Sequence, residues 1–373
     1  MSNPTKSIPL NIAIIGGGSA GMTLATKLDT LSATVFEPKT AAERDCSWAL
    51  WAQPKQLEKL SHAIKGSWDQ WRLIDHNREI IHQSKQYRYT SLSSGQYLQH
   101  CEANLKGRVN LVRAPVESVV RDGRGGQFNA GGQNYSAKTI YDSRPPIVDN
   151  NSLRQHFVGW EISTKEPIDN ADIATLMDFR VDQSRGLHFI YVLPYSDRHL
   201  LVESTMISTQ LEDKDWYRNA ITQWLLERNI QVQSKLSEEY GVIPMVPVQP
   251  QNAGIACIGA ASGAVRLSSG YGFSAIQTQM AVLAESIAAG KYSVSTPFSQ
   301  RLVFMDKVFN RALNTQSDHG VGLFMATAKT LNADQFARFM LANAGVGEWL
   351  KVVLAMPKWV FIKSALKQFF NYD

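Results

Sequence analysis

The sequence predicts an α/β protein: a Rossmann-like dinucleotide-binding layer interleaved with an antiparallel β-sheet domain and closed by C-terminal helices. Three observations predict this. Residues 11–37, NIAIIGGGSAGMTLATKLDTLSATVFE, read as strand, glycine turn, helix, strand and acid. Between about 155 and 207 four long β-like runs follow one another at sheet spacing. Residues 297–373 read as helices.

Each part of the first segment has a physical task. Gly16 permits the tight turn, Gly18 lets the backbone approach a pyrophosphate, and Gly21 lets the helix pack close to its strand. The helix start offers unpaired N–H groups and a positive dipole end to phosphates. Leu24, Leu28 and Leu31 follow at helical spacing, and Ala33 to Phe36 form a second strand that ends on Glu37. There the carboxylate can accept hydrogen bonds from a ribose diol. An ordinary glycine turn before a helix leaves that acid unexplained.

Farther along, residues 45–51 are rich in tryptophan, and 91–105 place Tyr97, Leu98, Cys101 and Leu105 on one helical face. Residues 108–120 read as strand, turn, strand, and the glycine-rich stretch 123–132 as a hairpin turn. Tyr135 to Asp142 returns as a strand and runs into Ser143, Arg144 and Pro145. The sheet runs FVGWEIS, ATLMDFRV, LHFIYVLPY and HLLVESTMI come next, then an amphipathic helix over 213–231. Ile255 to Ile258 is a strand ending at Gly259; a loop to Gly272 and a helix from Phe273 to Ala289 follow.

Composition narrows the class. Hydrophobic residues at 44% and charged residues at 19% specify a globular chain. The net charge of +5 is spread along the sequence without a nucleic-acid motif, so no nucleic-acid partner is expected. Cys46, Cys101 and Cys257 are odd in number and form no CxxC, which argues against a disulfide framework and fits a reducing cytoplasm. The histidines lack metal-binding spacing, so no metal is expected. Residues 1–10 do not form a signal peptide, and no apolar run reaches the roughly 18 residues a membrane span needs.

The motifs, in order, resemble those of the lycopene cyclases, on a flavoprotein-hydroxylase-like fold. GGGSAG with Glu37, then Asp142-Ser143-Arg144, then Gly259 with Ser268-Ser269-Gly270-Tyr271-Gly272 are similar to the three FAD contacts of that fold. RGLHFIYVLPYSDRHLLVEST (185–205) resembles the cyclase stretch in which an aromatic-rich strand leads through an LP-S turn to a strand bearing a catalytic glutamate. Met177-Asp178-Phe179-Arg180, Tyr240-Gly241-Val242-Ile243-Pro244-Met245 and Cys46-Ser47-Trp48-Ala49 resemble three further family motifs. The likeness covers about 11–290; the tail matches only in helical character. It departs at Ala260-Ala261, where many such enzymes place an aspartate after the glycine, and at Ser204, where relatives carry a second acid.

The resemblance implies an FAD-binding domain over 8–150 and 240–290, a β-sheet substrate domain over 151–239, and a helical region over 291–373. It implies FAD, active when reduced, with NAD(P)H as reductant and a hydrophobic polyene or isoprenoid as substrate. FAD contacts are expected from Gly16, Gly18, Gly21, Glu37, Asp142, Arg144, Gly259, Gly270, Tyr271 and Gly272. For Asp142 and Arg144 the alternative is a capped turn. The implied reaction is a non-redox cyclisation started by proton transfer to a terminal alkene. The alternatives are a redox flavoenzyme, such as a prenyl reductase or aromatic monooxygenase, and a non-catalytic flavin or carotenoid binder.

Glu203 is the expected acid. Leu201, Glu203 and Thr205 share one strand face, and an apolar surrounding there would keep the carboxyl neutral. The alternative is an exposed glutamate on a wet sheet face. Asp178 and Arg180 share a face on a neighbouring strand, where Asp178 either orients the acid or accepts the final proton, or the two form a surface ion pair. Trp48, Trp51, Trp160, Phe179, Phe189 and Tyr191 either line a polyene tunnel or pack a core. In the tail, Trp349, Trp359, Phe361, Phe369 and Phe370 alternate with Lys351, Lys358, Lys363 and Lys367. That mixture suits docking on the inner face of a membrane, or a terminal helix packed on the core with solvated lysines.

Overall fold

The apolar run Ile12–Ile15 is buried on both sides, as a central parallel strand must be. In the computed structural model, which describes residues 7–28, 31–315 and 320–369, it belongs to the first strand. The first half of the chain forms β1 (Ile8–Ile15), α1 (Ser19–Lys27), β2 (Ala33–Phe36), β3 (Ser47–Ala52), α2 (Pro54–Glu58), β4 (Ile64–Trp68), β5 (Gln70–Ile74), β6 (Glu79–Gln83), β7 (Arg88–Ser93), α3 (Ser94–Ala103), β8 (Val109–Val112), β9 (Val116–Asp122), β10 (Gly125–Ala130) and β11 (Gln133–Asp142). Then come β12 (Arg154–Thr164), β13 (Ile173–Asp178), β14 (Leu187–Pro194), β15 (His199–Ser208), α4 (Lys214–Glu227), β16 (Val232–Pro244), β17 (Ala256–Cys257) and α5 (Phe273–Ala288). The tail forms α6 (Gln300–Thr315), α7 (Gly320–Thr330), α8 (Ala333–Met340), α9 (Val346–Ala355) and α10 (Lys358–Phe369). Phe370 lies outside the described residues.

One sheet runs in the order β8-β2-β1-β11-β10-β9, with β17 joining β11 beyond the end of β10. Its β8, β2, β1, β11 and β17 are parallel, the expected Rossmann-like layer. Helices α1, α3 and α5 bury their apolar faces on it through Met22, Leu24, Leu98, Met280 and Leu283. The stretch 123–132 is not one hairpin turn. Its middle is β10, where a side-chain carbon at Gly125 would sit 1.9 Å from the Ala137 carbonyl oxygen and one at Gly126 2.3 Å from that of Val120. These glycines permit close strand approach within the sheet.

The second sheet runs β16-β12-β15-β14-β13-β5-β6. It is antiparallel except where β13 meets β5. Here β5 and β6, from within residues 8–150, pair into the sheet expected from 151–239, and β16 continues to Pro244. One face packs on α4 through Val158, Ile190, Val202, Tyr217 and Ile221. The other turns toward α7–α10 through Leu201, Ile207, Leu323, Phe336 and Val352. A small sheet, β3-β7-β4, lies at the junction.

Candidate active site

Between the second sheet, β3, the loop before α5 and the C-terminal helices lies a cavity of about 570 Å³. Its size suits a small-molecule site. Phe157, Leu176, Phe189, Ile207, Phe336 and Val352 are among its predominantly apolar lining, and its carboxylates are Glu203 on β15 and Asp306 on α6, the latter paired with Arg266.

Strand alternation puts Glu203 there. On β15, Val202, Ser204 and Met206 pack toward α4, so Leu201, Glu203 and Thr205 face the other way. Glu203 is 7% exposed, and Thr205 Oγ1 donates to its Oε1 at 2.5 Å. Burial pushes its carboxyl up to about 8, helped by the nearby Glu239 carboxylate and opposed by the Thr205 hydroxyl. A carboxyl in this setting stays protonated at neutral pH. The wet-face alternative does not apply.

The same alternation accounts for Ser204. It is fully buried on the opposite face, where its hydroxyl bonds His188 Nε2 at 2.9 Å. An acid at 204 would point away from the cavity. A second carboxylate near Glu203 comes instead from Glu239 of β16, across the middle strand β12. Sequence reading missed it, although Glu239 stands two residues before the Gly241 of a family-like motif.

Asp178 does not reach the acid. It lies at the end of β13, fully buried, bonded by Arg180 (Nε and Nη2, both 2.8 Å), Trp224 Nε1 (3.0 Å) and Arg228 Nη2 (3.0 Å). Trp224 belongs to α4, so this cluster lies on the face opposite Glu203. The guanidinium and indole donors outweigh burial and hold its carboxyl below the usual range. The expectation that Asp178 orients the acid or takes the final proton is therefore corrected. The surface-pair alternative fails too, because Asp178 is buried; only Arg180 is 38% exposed.

Three tyrosines cross the junction. Tyr89 Oη bonds both Tyr191 Oη and Tyr271 Oη at 2.8 Å. Trp51 packs on Tyr89 and Tyr271, with ring centroids 4.6 and 5.0 Å away. Its Nε1 is buried without a hydrogen-bond partner. Of the aromatic candidates, Trp48, Trp51, Phe189 and Tyr191 line the cavity. Phe179 packs against Phe189 and Phe324 in the core, and Trp160 turns outward to bond Glu238. Tyr89 lies in a stretch, 54–90, whose strands carried no clear sequence signal.

The dinucleotide motif has the geometry its residues require. Gly16 takes φ +92°, and a side-chain carbon at Gly21 would sit 2.0 Å from the Gly16 carbonyl oxygen. At Gly18, the residue before α1, such a carbon would meet nothing within 4 Å, so the backbone is open to a ligand. Glu37 is buried at the end of β2, where Gly17 N–H and Lys39 N–H bond its two oxygens at 2.9 and 3.0 Å. Arg44 Nη1 lies 3.7 Å from it. Gly259, at φ +66°, brings the late loop against Ala20 of α1. Asp142 caps its own turn: it accepts from Arg144 N at 3.0 Å and Arg144 Nη2 at 2.6 Å. Gly270, Tyr271 and Gly272 line the cavity at the start of α5. Arg266, paired with Asp306 of α6 at 3.3 Å, ties this loop to the C-terminal helices.

The cradle fits a bound dinucleotide. Two buried hydroxyls without protein partners line the cavity: Ser19 at the start of α1 and Ser269 in the loop before α5. They lie where the two glycine segments converge, and buried polar groups of this kind call for a ligand or water partner.

Comparison with known proteins agrees. A family model described as "Lycopene cyclase protein" matches residues 11–366. The chain is 30% identical over 149 residues to the lycopene beta-cyclase of Pantoea ananas, a stretch covering 38% of each protein. Among solved structures it resembles a geranylgeranyl bacteriochlorophyll reductase-like protein from Thermoplasma acidophilum (TM-score 0.66, 14% identity, 96% of this chain and 99% of that one). It also resembles a flavoprotein/dehydrogenase from Cytophaga hutchinsonii (TM-score 0.63, 12% identity, 98% and 100%). With its Rossmann-like layer, its interleaved second sheet and a match that runs almost from end to end, this chain belongs to the lycopene cyclase family and is built on the flavoprotein fold.

Proposed function

We propose that this protein is an FAD-dependent cyclase of a lycopene-like carotenoid or another long prenyl or polyene chain, acting by protonation of a terminal alkene without net redox change. The observation that carries the proposal is Glu203: a carboxyl pushed up to about 8, buried in an apolar cavity that also contains the Gly270–Gly272 loop. A neutral acid in a dry recess is what alkene protonation requires.

FAD would be held by the α1 turn, Glu37 and the loop before α5. Bound and reduced, with NAD(P)H as the proposed reductant, it would supply negative charge beside a developing cation. The remaining work belongs to side chains. Glu203 gives its proton to the terminal alkene carbon. Tyr191 and Tyr271, the partly exposed tyrosines of the cavity wall, would favour the tertiary cation formed next. The apolar lining keeps out water that would quench it, so attack by the neighbouring double bond closes the ring. Loss of a ring proton completes the reaction.

In this proposal the substrate enters from a bilayer. No described helix is long and apolar enough to cross a membrane. On α9 and α10, however, Val346, Leu350, Leu354, Trp359, Leu366 and Phe369 are each more than half exposed. Val353 and Ile362, about half exposed, also line the cavity. The apolar surface thus continues into the recess, while exposed Lys351, Lys358 and Lys363 suit anionic headgroups. Peripheral docking on the inner face of a membrane is part of this proposal.

Expression in a lycopene-accumulating bacterial host, with pigment analysis by mass spectrometry, tests the proposal. Cyclised pigment from the wild type and none from Glu203→Gln, with flavin content equal, is the expected result. The reductase-like fold neighbour supports a second reading, a redox flavoenzyme. A saturated product, or NADPH consumed in proportion to product, would select it. Substrate bound and recovered unchanged would leave only a binding protein.

A further inference from the structure

We propose that Glu239 is a positioning residue for Glu203: it is the carboxylate that faces Glu203 across β12, and its negative charge keeps the proton of the pair on Glu203. The inference rests on the assignment of Glu203 as proton donor.

Geometry comes first. Strand β12 lies between β15 and β16, and its Gly159 pairs with Glu203 on one side and Glu239 on the other. A side-chain carbon at Gly159 would sit 3.2 Å from Glu239 Cγ and 3.5 Å from Glu203 Cγ. The missing side chain is the space across which the two glutamates face each other. Strand propensity gives no reason for glycine in the middle of an inner strand, whereas close approach of its neighbours does.

The two carboxylates have different surroundings. Glu203 is buried, with the neutral Thr205 hydroxyl as donor. Glu239 is half-buried, and Ser47 N–H donates to its Oε2 at 2.9 Å. It also feels the Lys65 ammonium, which Glu161 Oε2 anchors at 2.5 Å. Two like charges this close are costly, so one site holds a proton. Desolvation pushes both carboxyls up, and Glu161 and Asp45 push Glu239 further; at Glu239 a backbone donor and a cation oppose the rise, whereas at Glu203 only the Thr205 hydroxyl does, so the proton sits on Glu203. The other titratable groups facing the pair are Tyr191 and Tyr271 beside Glu203, and Lys65, Glu161 and Asp45 beside Glu239, with Tyr195 next to Lys65.

The proton count closes. Each ring takes one proton from Glu203 to the alkene carbon and releases one from a ring carbon, and Glu203 regains one. While Glu203 is a carboxylate it faces a second one across Gly159, which drives a proton back to it.

The test uses purified full-length protein and infrared spectroscopy of the carboxylic-acid C=O stretch as a function of pH. The band is assigned by its loss in Glu203→Gln. In the wild type it should persist to about pH 8. In Glu239→Gln its midpoint should fall by about one pH unit or more, and the high-pH limb of cyclisation should move with it. Glu239→Asp, which keeps the charge, should restore both. An unmoved midpoint in Glu239→Gln overturns the pairing, even if the protein cyclises lycopene. A shifted midpoint in a protein that cyclises nothing upholds the pairing and removes the cyclase reading instead.

Discussion

Replacing Glu203 by glutamine should make this protein more stable as the medium becomes alkaline. The carboxyl rises from its ordinary 4.5 to about 8 on folding. A raised folded value means that the native state binds the proton more tightly than the unfolded chain does. The stability this confers is whole below about pH 4.5 and is lost as pH rises through about 8. At about 1.36 kcal/mol per unit, the full loss is ~5 kcal/mol. Glutamine copies the shape and neutrality of the protonated acid and has nothing to titrate. Thermal melts of both proteins at pH 5, 7 and 9 provide the assay, and flavin need not be bound. The two should melt together at pH 5 and separate by roughly 6 °C at pH 9, with wild type lower. A gap that does not change between pH 5 and 9 would refute the picture of a neutral, desolvated acid.

Three further outcomes are expected. Gly21→Ala forces a methyl against the Gly16 carbonyl and should lose the flavin absorbance of the purified protein, together with about 1–3 kcal/mol of stability in denaturant melts. Asp178→Asn leaves Arg180 and Arg228 without their carboxylate and should cost about 3–5 kcal/mol at pH 7. Because the Asp178 carboxyl is held low, that difference should shrink as pH falls through its folded value, while any pigment formed keeps the wild-type composition. Trp359→Glu puts a charge on the most exposed apolar residue of α10 and should reduce co-sedimentation with anionic vesicles by about tenfold, leaving flavin content intact.

What could be read from the sequence was whatever local chemistry specifies. The turn at Gly16 needs a positive φ and the contact at Gly21 tolerates no side chain, so the first segment declared itself. Glu203 inside a run of apolar residues was legible for a similar reason: period-two alternation told which neighbours share its face. Glu239 and Tyr89 were not legible. Their importance comes from pairing across sheets, between β16 and β15 by way of β12 and among β7, β14 and the α5 loop, and no local pattern encodes such registers. Asp178 misled because a shared strand position does not say which face a neighbouring strand turns to the cavity, and the bulge between Thr175 and Asp178 shifts the register there. The segment 54–90 hid four short strands, two of which join a sheet whose next strand, β13, comes about a hundred residues later.

That last connection bears on how the protein is made. When a ribosome has released the first hundred and fifty residues, β5 and β6 have emerged as a hairpin with an open edge, and their partner β13 has yet to be synthesised. The Rossmann-like sheet waits in the same way for β17 and α5. The second sheet is complete only with β16, which ends at Pro244, and the Rossmann-like layer only with α5, which ends at Ala288, so the nascent chain must hold sticky, unmatched strands for a long interval. Assembly of this kind is slow and exposed to aggregation. Yield in a heterologous host should therefore respond more to chaperone supply and growth temperature than to the promoter.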